Sequence, residues 1–349
     1  MGITVAIDAM GGDLAPDEIV AGAVSAAANL GVNVLLVGRE DVVAPLLPDH
    51  APGIELVHAS EVVAMHDAPT AVRSKKDSSI VRCAELVRDG RADAMVSAGN
   101  TGAAMAAALL RMGRIKGASR PAIAVPVPVP GRDAQILVDG GANVDCSAEW
   151  LRQFAVMGAE YARVFLRIDT PRVGLLSNGE EAGKGDELRK EAHALLAGMP
   201  GFIGNVEGRD FMHDTVDVIV TDGFTGNVAL KSIEGTAKLY AQFVREVFRT
   251  STFAKLGGLL ASGAWIKLRK RTDPRRYNGG VFLGLDGVCV KSHGGTDALG
   301  FAYAIGVAVD LVRYDYKSKL VEGLAKLHKA TSTAEAPTTP VLQASGGGE

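Results

Sequence analysis

Six stretches of this chain run from an apolar, β-branched-rich segment directly into a short loop of Gly, Asn, Asp and Ser. They cover 3–13, 93–102, 135–143, 172–185, 217–227 and 287–298. A strand buried on both faces reads as a continuous Val/Ile/Leu run, and open α/β sheets bind ligands beyond the carboxyl ends of their strands. The pattern therefore predicts both a fold and a polar site that suits an anion.

Helical patterns alternate with these strands, which is typical of a mostly parallel sheet covered by helices. A further strand is expected at 33–38. The predicted helices cover 17–30, 78–89 (capped by Ser78 or Asp77), 103–113, 149–164, 187–197 and 228–247. We expect one domain over 1–330, followed by a disordered tail over 331–349 that is rich in Thr, Ala, Pro, Ser and Gly.

Composition narrows the function classes. The 349 residues are 47% hydrophobic and carry a formal net charge of −3, which argues against nucleic acid as a partner. The three cysteines lack CxxC spacing, so neither a zinc site nor a disulfide framework is indicated, and a reducing cytoplasm is expected. We expect no transmembrane segment, because no uncharged apolar run reaches roughly 18 residues.

Several common catalytic motifs are missing. The segment 179–184 (GEEAGK) resembles a phosphate-binding P-loop, but its glycine spacing is one residue short, and Gly185 follows where Ser or Thr would hold magnesium. The first strand ends in DAMGGD instead of GxGxxG, and the chain has no GxSxG or HExxH. The candidate that remains is a site lined by polar backbone groups and cationic side chains, with no evident protein nucleophile.

One basic cluster precedes the helix at 78–89, whose first turn offers hydroxyls and amides. Helix N-termini and basic side chains together favour anion binding, although a solvated charged loop is the ordinary alternative. The residues are Arg73, Lys75, Lys76, Ser78 and Ser79.

Lys184 is flanked by two glycines that would free it to reach a ligand; a surface pair with a neighbouring Glu is the ordinary explanation. His293 is a weaker candidate for an acid or ligand-binding group, since a lone loop histidine more often makes local hydrogen bonds.

Asparagines recur at the strand-to-loop transitions, as Asn100, Asn143 and Asn227. One such residue would indicate turn geometry, whereas three at strand ends favour a shared site. Asp139 and Asp222 are expected either to cap the helices that follow them or to orient these asparagines, and capping is the favoured role for each.

The segment 250–277 departs from the strand–helix alternation by mixing apolar and basic residues. It suits an amphipathic helical excursion on an anionic membrane surface, or equally an arm packed in a dimer interface or on the main body. The candidate contact residues are Leu256, Leu259, Leu260, Trp265, Lys267, Arg269, Lys270 and Arg271.

Eight ordered motifs, IDAMGGD, AVRSKKDSS, SAGNTGA, DGGAN, LLSNGEEAGKG, NVEGRD, DVIVTDGFTGNVALK and HGGTDA, resemble the phosphate acyltransferase family of bacterial phospholipid synthesis. The resemblance spans roughly residues 3–320. It implies a Rossmann-like three-layer α/β/α fold, similar to isocitrate dehydrogenase and phosphotransacetylase, with a protruding amphipathic helical hairpin. It also implies a homodimer with peripheral membrane association.

The resemblance implies that inorganic phosphate attacks the thioester of an acyl-[acyl carrier protein], giving acyl phosphate and free acyl carrier protein. The product would supply a glycerol-3-phosphate acyltransferase in phosphatidic acid synthesis, and no metal or organic cofactor is implied.

By resemblance, Lys184 and Asn227 form the catalytic pair, one on phosphate and one on the carbonyl. Further crevice and anion-field residues are Asp8, Gly11, Gly12, Asp13, Arg73, Lys75, Lys76, Ser97, Asn100, Asn143 and Asn178.

Three other functions are alternatives to this acyl transfer. A phosphotransacetylase that uses coenzyme A would have no need for the apolar, basic arm. The dense polar loops argue against a catalytically silent module that binds an acyl carrier or a lipid. A nicotinamide-dependent dehydrogenase is also disfavoured, because it usually needs clustered aspartates for a metal, and the aspartates of this chain are spread over separate loops. The resemblance to the family favours a membrane contact for 250–277. The basic residues of this segment would also suit docking of the acidic acyl carrier protein.

Overall fold

A computed structural model describes residues 2–271 and 273–334 of the chain, without the side chains of 269–271 and 330–334. The predicted contacts of Arg269, Lys270 and Arg271 therefore lie outside the described residues. The final helix ends at Ala334, beyond the expected start of the tail, and 335–349 lies outside the described residues.

The described residues form eleven strands of one sheet, flanked by helices. The strands are β1 Thr4–Asp8, β2 Asn33–Gly38, β3 Ile54–His58, β4 Ala94–Ser97, β5 Ala122–Pro128, β6 Ala134–Val138, β7 Val173–Leu176, β8 Phe202–Val206, β9 Val218–Val220, β10 Gly280–Leu283 and β11 Val288–Lys291. The helices are α1 Asp17–Leu30, α2 Glu40–Val43, α3 Ser79–Arg88, α4 Thr101–Arg111, α5 Ala148–Phe165, α6 Glu187–Leu196, α7 Gly223–Val247, α8 Thr252–Leu260, α9 Ser262–Arg271, α10 Ala298–Arg313 and α11 Tyr316–Ala334.

The sheet order is β3-β2-β1-β4-β11-β10-β5-β6-β9-β7-β8. The first five strands in this order are mutually parallel, and so are the last four. Between them lie three antiparallel pairings, β11 with β10, β10 with β5, and β5 with β6. An odd number of reversals makes the two parallel groups run in opposite directions. The carboxyl ends of β1, β4 and β11 thus lie along one side of the sheet, which we call the first edge. The carboxyl ends of β6, β7 and β9 lie along the opposite side, which we call the second edge.

Side-chain alternation along the strands builds a core on each face of the sheet. In β1, Val5 and Ile7 pack into the core shared with α1, α5 and α10, whereas Ala6 packs into the core shared with α3 and α4. A smaller cluster under the start of α7 includes Leu137 and Ile219. The predicted three-layer α/β/α arrangement with a mostly parallel sheet is confirmed.

The helix predicted over 228–247 begins earlier, at Gly223. The Asp222 side chain accepts a hydrogen bond from the Thr225 backbone N–H at 2.8 Å and so caps the helix. Asn227 therefore lies within the helix and not in a loop. The cap outweighs the Gly-rich composition that suggested continued loop.

The segment 250–277 contains α8 and α9, joined at Ala261 and followed by a short 3₁₀ turn. Phe253 and Leu260 are 88% and 80% exposed. The Trp265 ring, expected to be exposed, packs edge-on against Phe248 with 5.3 Å between ring centroids and is half-buried. Among the described residues, no helix has the length and apolarity needed to cross a membrane.

A buried carboxylate at the start of β9 ties the second group of strands together. Asp217 accepts hydrogen bonds from the backbone N–H of Arg172 at 2.7 Å and from its Nε at 3.0 Å, and it pairs with Arg132. Burial would raise the pKa of Asp217, but the hydrogen bonds from Arg172 and Arg132 outweigh it and lower the pKa to about 2.

We predict that Asp217→Asn lowers the free energy of unfolding by about 2 kcal/mol at pH 7, because it removes the buried carboxylate that accepts from Arg172 and Arg132 and leaves these two guanidinium groups only the exposed Asp214 as an ion-pair partner. The folded pKa of Asp217 lies below its ordinary value of 3.8. The carboxylate's contribution is therefore complete above that value and is lost as the pH falls through about 2. Urea titrations should show the gap between wild type and variant closing over that window. Asp89→Asn, in an exposed pair with Arg88, is the control and should leave the free energy of unfolding close to that of the wild type. A gap that stays constant down to pH 2 would contradict the account.

Candidate active site

The second edge brings together the loops after β6, β9 and β7, which are adjacent strands. These loops and the helices that follow carry Asn143, Asn178, Lys184 and Asn227. Because the carboxyl ends of neighbouring parallel strands meet at one edge, the fold gathers these four predicted site residues, both members of the expected catalytic pair among them.

Asp139 organises the loop after β6. Its carboxylate accepts hydrogen bonds from the backbone N–H groups of Ile123, Gly141, Ala142 and Asn143, at 2.8 to 3.1 Å. Asp139 does not cap a helix, because its oxygens accept hydrogen bonds from this loop and from β5; it orients Asn143, which was the expected alternative. Burial raises the pKa of Asp139, and these hydrogen bonds partly offset the effect.

Asn143 shapes the site through its backbone and its amide. Its Nδ2 donates to the Pro121 carbonyl and to Asp139, each at 2.8 Å, so both amide hydrogens are used within the protein. Its backbone carbonyl accepts from Gly223 N–H at 2.7 Å, which joins this loop to the start of α7. Asn143 thus supports the site, with its side-chain carbonyl oxygen left as the group that can face a ligand.

Asn227 projects from the second turn of α7 and is exposed. A Cβ at Gly141 would lie 3.3 Å from the Asn227 Cβ, so the two loops are in close approach. A Cβ at Gly226 would overlap the Asp139 carbonyl oxygen. Only glycine at 226 lets α7 begin this close to the loop after β6.

A buried ion pair joins the beginnings of α6 and α7. Arg189 pairs with Asp222, and its Nη2 also donates to Thr225 Oγ1 at 3.1 Å and Thr221 Oγ1 at 3.3 Å. Burial would raise the pKa of Asp222, but hydrogen bonds from Thr225 and the charge of Arg189 outweigh it and lower the pKa. Asp222 thus caps α7, as expected, and also holds α6 beside it.

Lys184 lies in the loop between β7 and α6 and is exposed. Its side chain lies over Gly179, where a Cβ would be 2.7 Å from the Lys184 Cγ. The neighbouring Glu180 pairs with Arg209, and across the described residues Lys184 has no ion-pair partner. The ordinary explanation of a Glu–Lys surface pair is therefore not supported for Lys184.

Ser177, at the end of β7, adds a second group that lacks a partner. Its Oγ is buried and has no hydrogen-bond partner among the described residues. A Cβ at Gly185 would lie 3.0 Å from this oxygen, so the hydroxyl lies against the loop that carries Lys184. Buried hydroxyls are usually satisfied, so this oxygen indicates a place for water or a ligand oxygen.

Cys146 lies close to the same loops, with its Sγ 3.6 Å from the Asn143 carbonyl oxygen. Burial raises the pKa of this thiol to about 12. A thiolate nucleophile is therefore disfavoured at neutral pH.

The first edge holds a different polar cluster. Buried Asp8 accepts hydrogen bonds from Ser79 Oγ at 2.6 Å and Ser97 Oγ at 2.7 Å. Burial raises the pKa of Asp8 and lowers that of the nearby Lys291 to about 8. The Lys291 Nζ donates to the backbone carbonyls of Ala98 and Ser292. This cluster is internally satisfied and holds three loops together.

The loop after β1 crosses the other first-edge loops at close range. A Cβ at Gly11 would come within 2.8 Å of the Gly99 backbone N, and Gly12 has φ +127. The Asp13 N–H donates to the Gly294 carbonyl at 2.9 Å. The glycines in this loop permit close backbone packing.

Two other first-edge candidates are used within the protein. Asn100 donates from Nδ2 to the carbonyls of Met65 and Asp67, and its Oδ1 accepts from Ala103 N–H as the cap of α4. Lys75 donates to Asp67 at 2.7 Å. Asn100 is therefore structural, and Lys75 contributes little free positive charge.

The remaining first-edge candidates lie around these loops. His293 is exposed and accepts a local hydrogen bond at Nδ1 from Gly295 N–H. Ser78 begins α3, but its Oγ donates to the Lys75 carbonyl and does not cap the helix. Arg73 and Lys76 are exposed.

The six loops, which were expected to line one crevice, divide between the two edges of the sheet. The antiparallel pairings in the middle of the sheet send Asp8, Ser97 and Asn100 to the first edge, and Asn143, Lys184 and Asn227 to the second. Within the described residues, no group of three His, Cys, Asp or Glu side chains could hold a metal ion at either edge.

Comparison with known proteins identifies the family. Residues 3–319 match the model of the fatty acid synthesis protein family. The phosphate acyltransferases of Rhodospirillum centenum and Rhodospirillum rubrum are 50% and 48% identical, each over 95% of this chain and over 95% and 97% of their own lengths. This chain belongs to the phosphate acyltransferase family. It is an acyl-transferring enzyme.

Solved structures support the fold. A phosphotransacetylase from Streptococcus pyogenes matches 90% of this chain and 94% of its own, with a TM-score of 0.59 at 17% identity. A branched-chain phosphotransacylase from Enterococcus faecalis matches 89% and 99%, with the same TM-score at 16% identity. At such identities the likeness shows a shared fold.

Three site residues were missed by sequence reasoning. Arg189 follows the cap Asp186 by three positions, an ordinary helix-start pattern that gives no hint of its pairing with Asp222. Ser177 directly follows the buried strand β7 and Lys291 ends the buried strand β11, and the environments of both depend on neighbours distant in sequence.

We predict opposite effects for two identical substitutions in α7. Gly226→Ala should lower the free energy of unfolding by about 2 kcal/mol or more, because its methyl group would overlap the Asp139 carbonyl. Gly235→Ala, in the same helix with no neighbouring atom within 4 Å, should raise it by up to about 1 kcal/mol through helix propensity. Urea unfolding measures both. Equal effects would contradict the close approach at Gly226.

Proposed function

We propose that this acyltransferase converts acyl-[acyl carrier protein] and inorganic phosphate to acyl phosphate and free acyl carrier protein. The observation that supports this most is the placement at the second edge of two exposed groups, Lys184, which has no ion-pair partner among the described residues, and the amide of Asn227, on a helix whose start is fixed by a buried ion pair. Family membership supports phosphate and an acyl donor as the two substrates.

The proposed reaction is a single displacement. A phosphate oxygen forms a bond to the thioester carbonyl carbon, the carbon–sulfur bond breaks, and the thiolate leaves and takes up a proton. A thiolate is a good leaving group, so no strong general acid is needed. Catalysis then depends on holding phosphate near the carbonyl and stabilising charge on the carbonyl oxygen.

We assign Lys184 to phosphate and Asn227 to the carbonyl oxygen. An ammonium on the long, exposed side chain of a lysine suits a dianion, whereas an amide N–H carried on a helix suits an oxyanion. Ser177 Oγ and Asn178 lie on the Lys184 loop and would contribute hydrogen bonds to phosphate. Asn143 supports the loop beside Asn227.

We predict that Lys184→Ala and Asn227→Ala each reduce phosphate-dependent acyl phosphate formation by about 10²- to 10³-fold. Hydroxylamine trapping of acyl phosphate from a long-chain acyl carrier protein measures the rate. Lys190→Ala and Asn29→Ala are exposed control variants with the same changes of residue type, and they should retain activity within about twofold. Folded Lys184→Ala and Asn227→Ala proteins with near-wild-type rates would refute the assignment.

The phosphotransacetylase alternative is separable by substrate. Under our proposal the wild type prefers the carrier thioester to a short-chain coenzyme A thioester. A preference for acetyl-coenzyme A would instead favour the alternative.

The proposal places the enzyme in the cytoplasm, in peripheral contact with the membrane, where its product supplies a glycerol-3-phosphate acyltransferase for phosphatidic acid synthesis. The support is the apolar face of α8, where Leu256, Leu259 and Leu260 are 53%, 68% and 80% exposed, with Lys267 exposed on α9. Apolar side chains beside basic ones favour an anionic lipid surface.

We predict that Leu259→Glu/Leu260→Glu reduces pelleting with anionic phospholipid vesicles by at least about fivefold, because it places two charges in the apolar face. The matched control is Leu30→Glu/Leu195→Glu, which adds the same charges at other exposed leucines and should pellet like wild type. Equal sedimentation of wild type and the 259/260 variant would argue against membrane insertion by α8.

A homodimer is part of the same proposal. The outer part of α7 exposes Leu239, Tyr240, Phe243 and Val247, each more than half exposed. An apolar face of this kind on one helix is typical of a surface that a second subunit covers.

A further inference from the structure

A basic recess lies beside the proposed active site. It encloses about 890 Å³ between the end of α4, the connection 113–121 and the start of α5. Leu109, Ile115, Pro121 and Trp150 give it apolar walls, and three basic side chains also line it: Arg114, Lys116 and Arg120.

The recess opens at the second edge of the sheet. Strand β5 begins there, because it runs opposite to the neighbouring β6. The carbonyl of Pro121, in the recess wall, accepts the 2.8 Å hydrogen bond from Asn143 Nδ2. The backbone carbonyl of Asn143 in turn accepts a hydrogen bond from the N–H of Gly223, the first residue of α7. Asn227 lies in the second turn of the same helix. Recess and proposed active site are thus separated by one loop.

The charge in the recess is uncompensated. Across the part of the chain that the structure describes, no carboxylate pairs with Arg114, Lys116 or Arg120. The nearest basic residues in sequence behave differently, since Arg111 pairs with Glu85 and Arg152 with Glu149. Three like charges in one concave surface concentrate positive potential and attract an anion.

Two of the three cations are positioned by the protein. Arg114 Nη1 donates to the Ser119 carbonyl, which holds its guanidinium across the connection. The Arg120 guanidinium carbon lies 5.0 Å from the centroid of the Trp150 ring. Stacking leaves the edge N–H groups of the guanidinium free to donate to an oxyanion. Ordered donors of this kind favour a phosphate-like group over diffuse counterions.

We propose that this basic recess binds the phosphodiester of the phosphopantetheine arm that carries the acyl thioester, with the arm's uncharged amide chain against the apolar wall. This inference rests on the proposed function, since the arm is the part of an acyl carrier that must reach the active site. It gives the donor an anion site separate from that of inorganic phosphate, which Lys184 holds. The basic residues of 250–277 are then not needed to bind the arm.

The first test compares thioesters with and without the phosphate. For Lys116→Ala/Arg120→Ala, the KM for acyl-phosphopantetheine and for acyl-[acyl carrier protein] should rise about tenfold or more. The KM for acyl-pantetheine, which lacks the phosphate, and the KM for inorganic phosphate should change less than twofold. Lys116→Arg/Arg120→Lys keeps both charges and should retain most of the wild-type affinity.

The matched control is Arg39→Ala/Arg91→Ala, which removes two exposed cations that pair with Asp41 and Glu55 and do not line the recess. It lowers the net charge equally and should leave all four KM values within twofold. Thermal unfolding checks that each variant is folded.

Other outcomes would overturn the inference. An equal rise for acyl-pantetheine would show that the recess does not recognise phosphate. A higher KM for inorganic phosphate alone would show that the recess binds the acceptor phosphate. A higher KM for acyl-[acyl carrier protein] alone would show that the recess is a docking surface for the carrier protein.

A binding measurement separates this inference from the proposed reaction. Calorimetry with phosphopantetheine needs no turnover, and the double variant should bind at least tenfold more weakly than wild type. If the wild type forms no acyl phosphate but shows this difference, the proposed function fails and the recess assignment stands. Equal binding by wild type and variant would overturn the recess assignment whatever the activity.

Discussion

Three antiparallel pairings in the middle of the sheet determine where chemistry can occur in this protein. They reverse the strand direction between β11 and β6, so the polar loops divide between two edges. At the first edge, Asp8 and Lys291 use their charges to hold three loops together. At the second edge, Lys184 and Asn227 are exposed, and the basic recess opens beside them.

Buried charged groups at the second edge stabilise the loops and helix starts, whereas the exposed groups there remain available to substrates. Asp139 holds the loop after β6 through four backbone N–H groups, and Arg189 with Asp222 fixes the beginnings of α6 and α7. Breaking such buried interactions is costly, so the loops have well-defined positions. The exposed Lys184 and the amide of Asn227 on α7 can then bind phosphate and a thioester without a protein nucleophile.

Much of the fold follows from local sequence patterns. The helix over Asp17–Leu30 and the strand over Asn33–Gly38 were predicted to the residue, because apolar periodicity and the flanking turn residues are local signals. The edge at which each loop lies depends on strand pairing, which local patterns do not encode. The same limit explains the asparagines: Asn100 caps a helix, whereas Asn227, alike in sequence context, is exposed within one.

The most direct test of the account is intact-mass spectrometry of the purified enzyme mixed with long-chain acyl-[acyl carrier protein], before and after phosphate is added. Because phosphate itself is the proposed nucleophile, the account predicts an unchanged protein mass without phosphate, and acyl phosphate with free carrier once phosphate is present. A phosphate-free increase by the mass of the acyl group, discharged when phosphate is added, would reveal an acyl-enzyme intermediate and contradict the central claim.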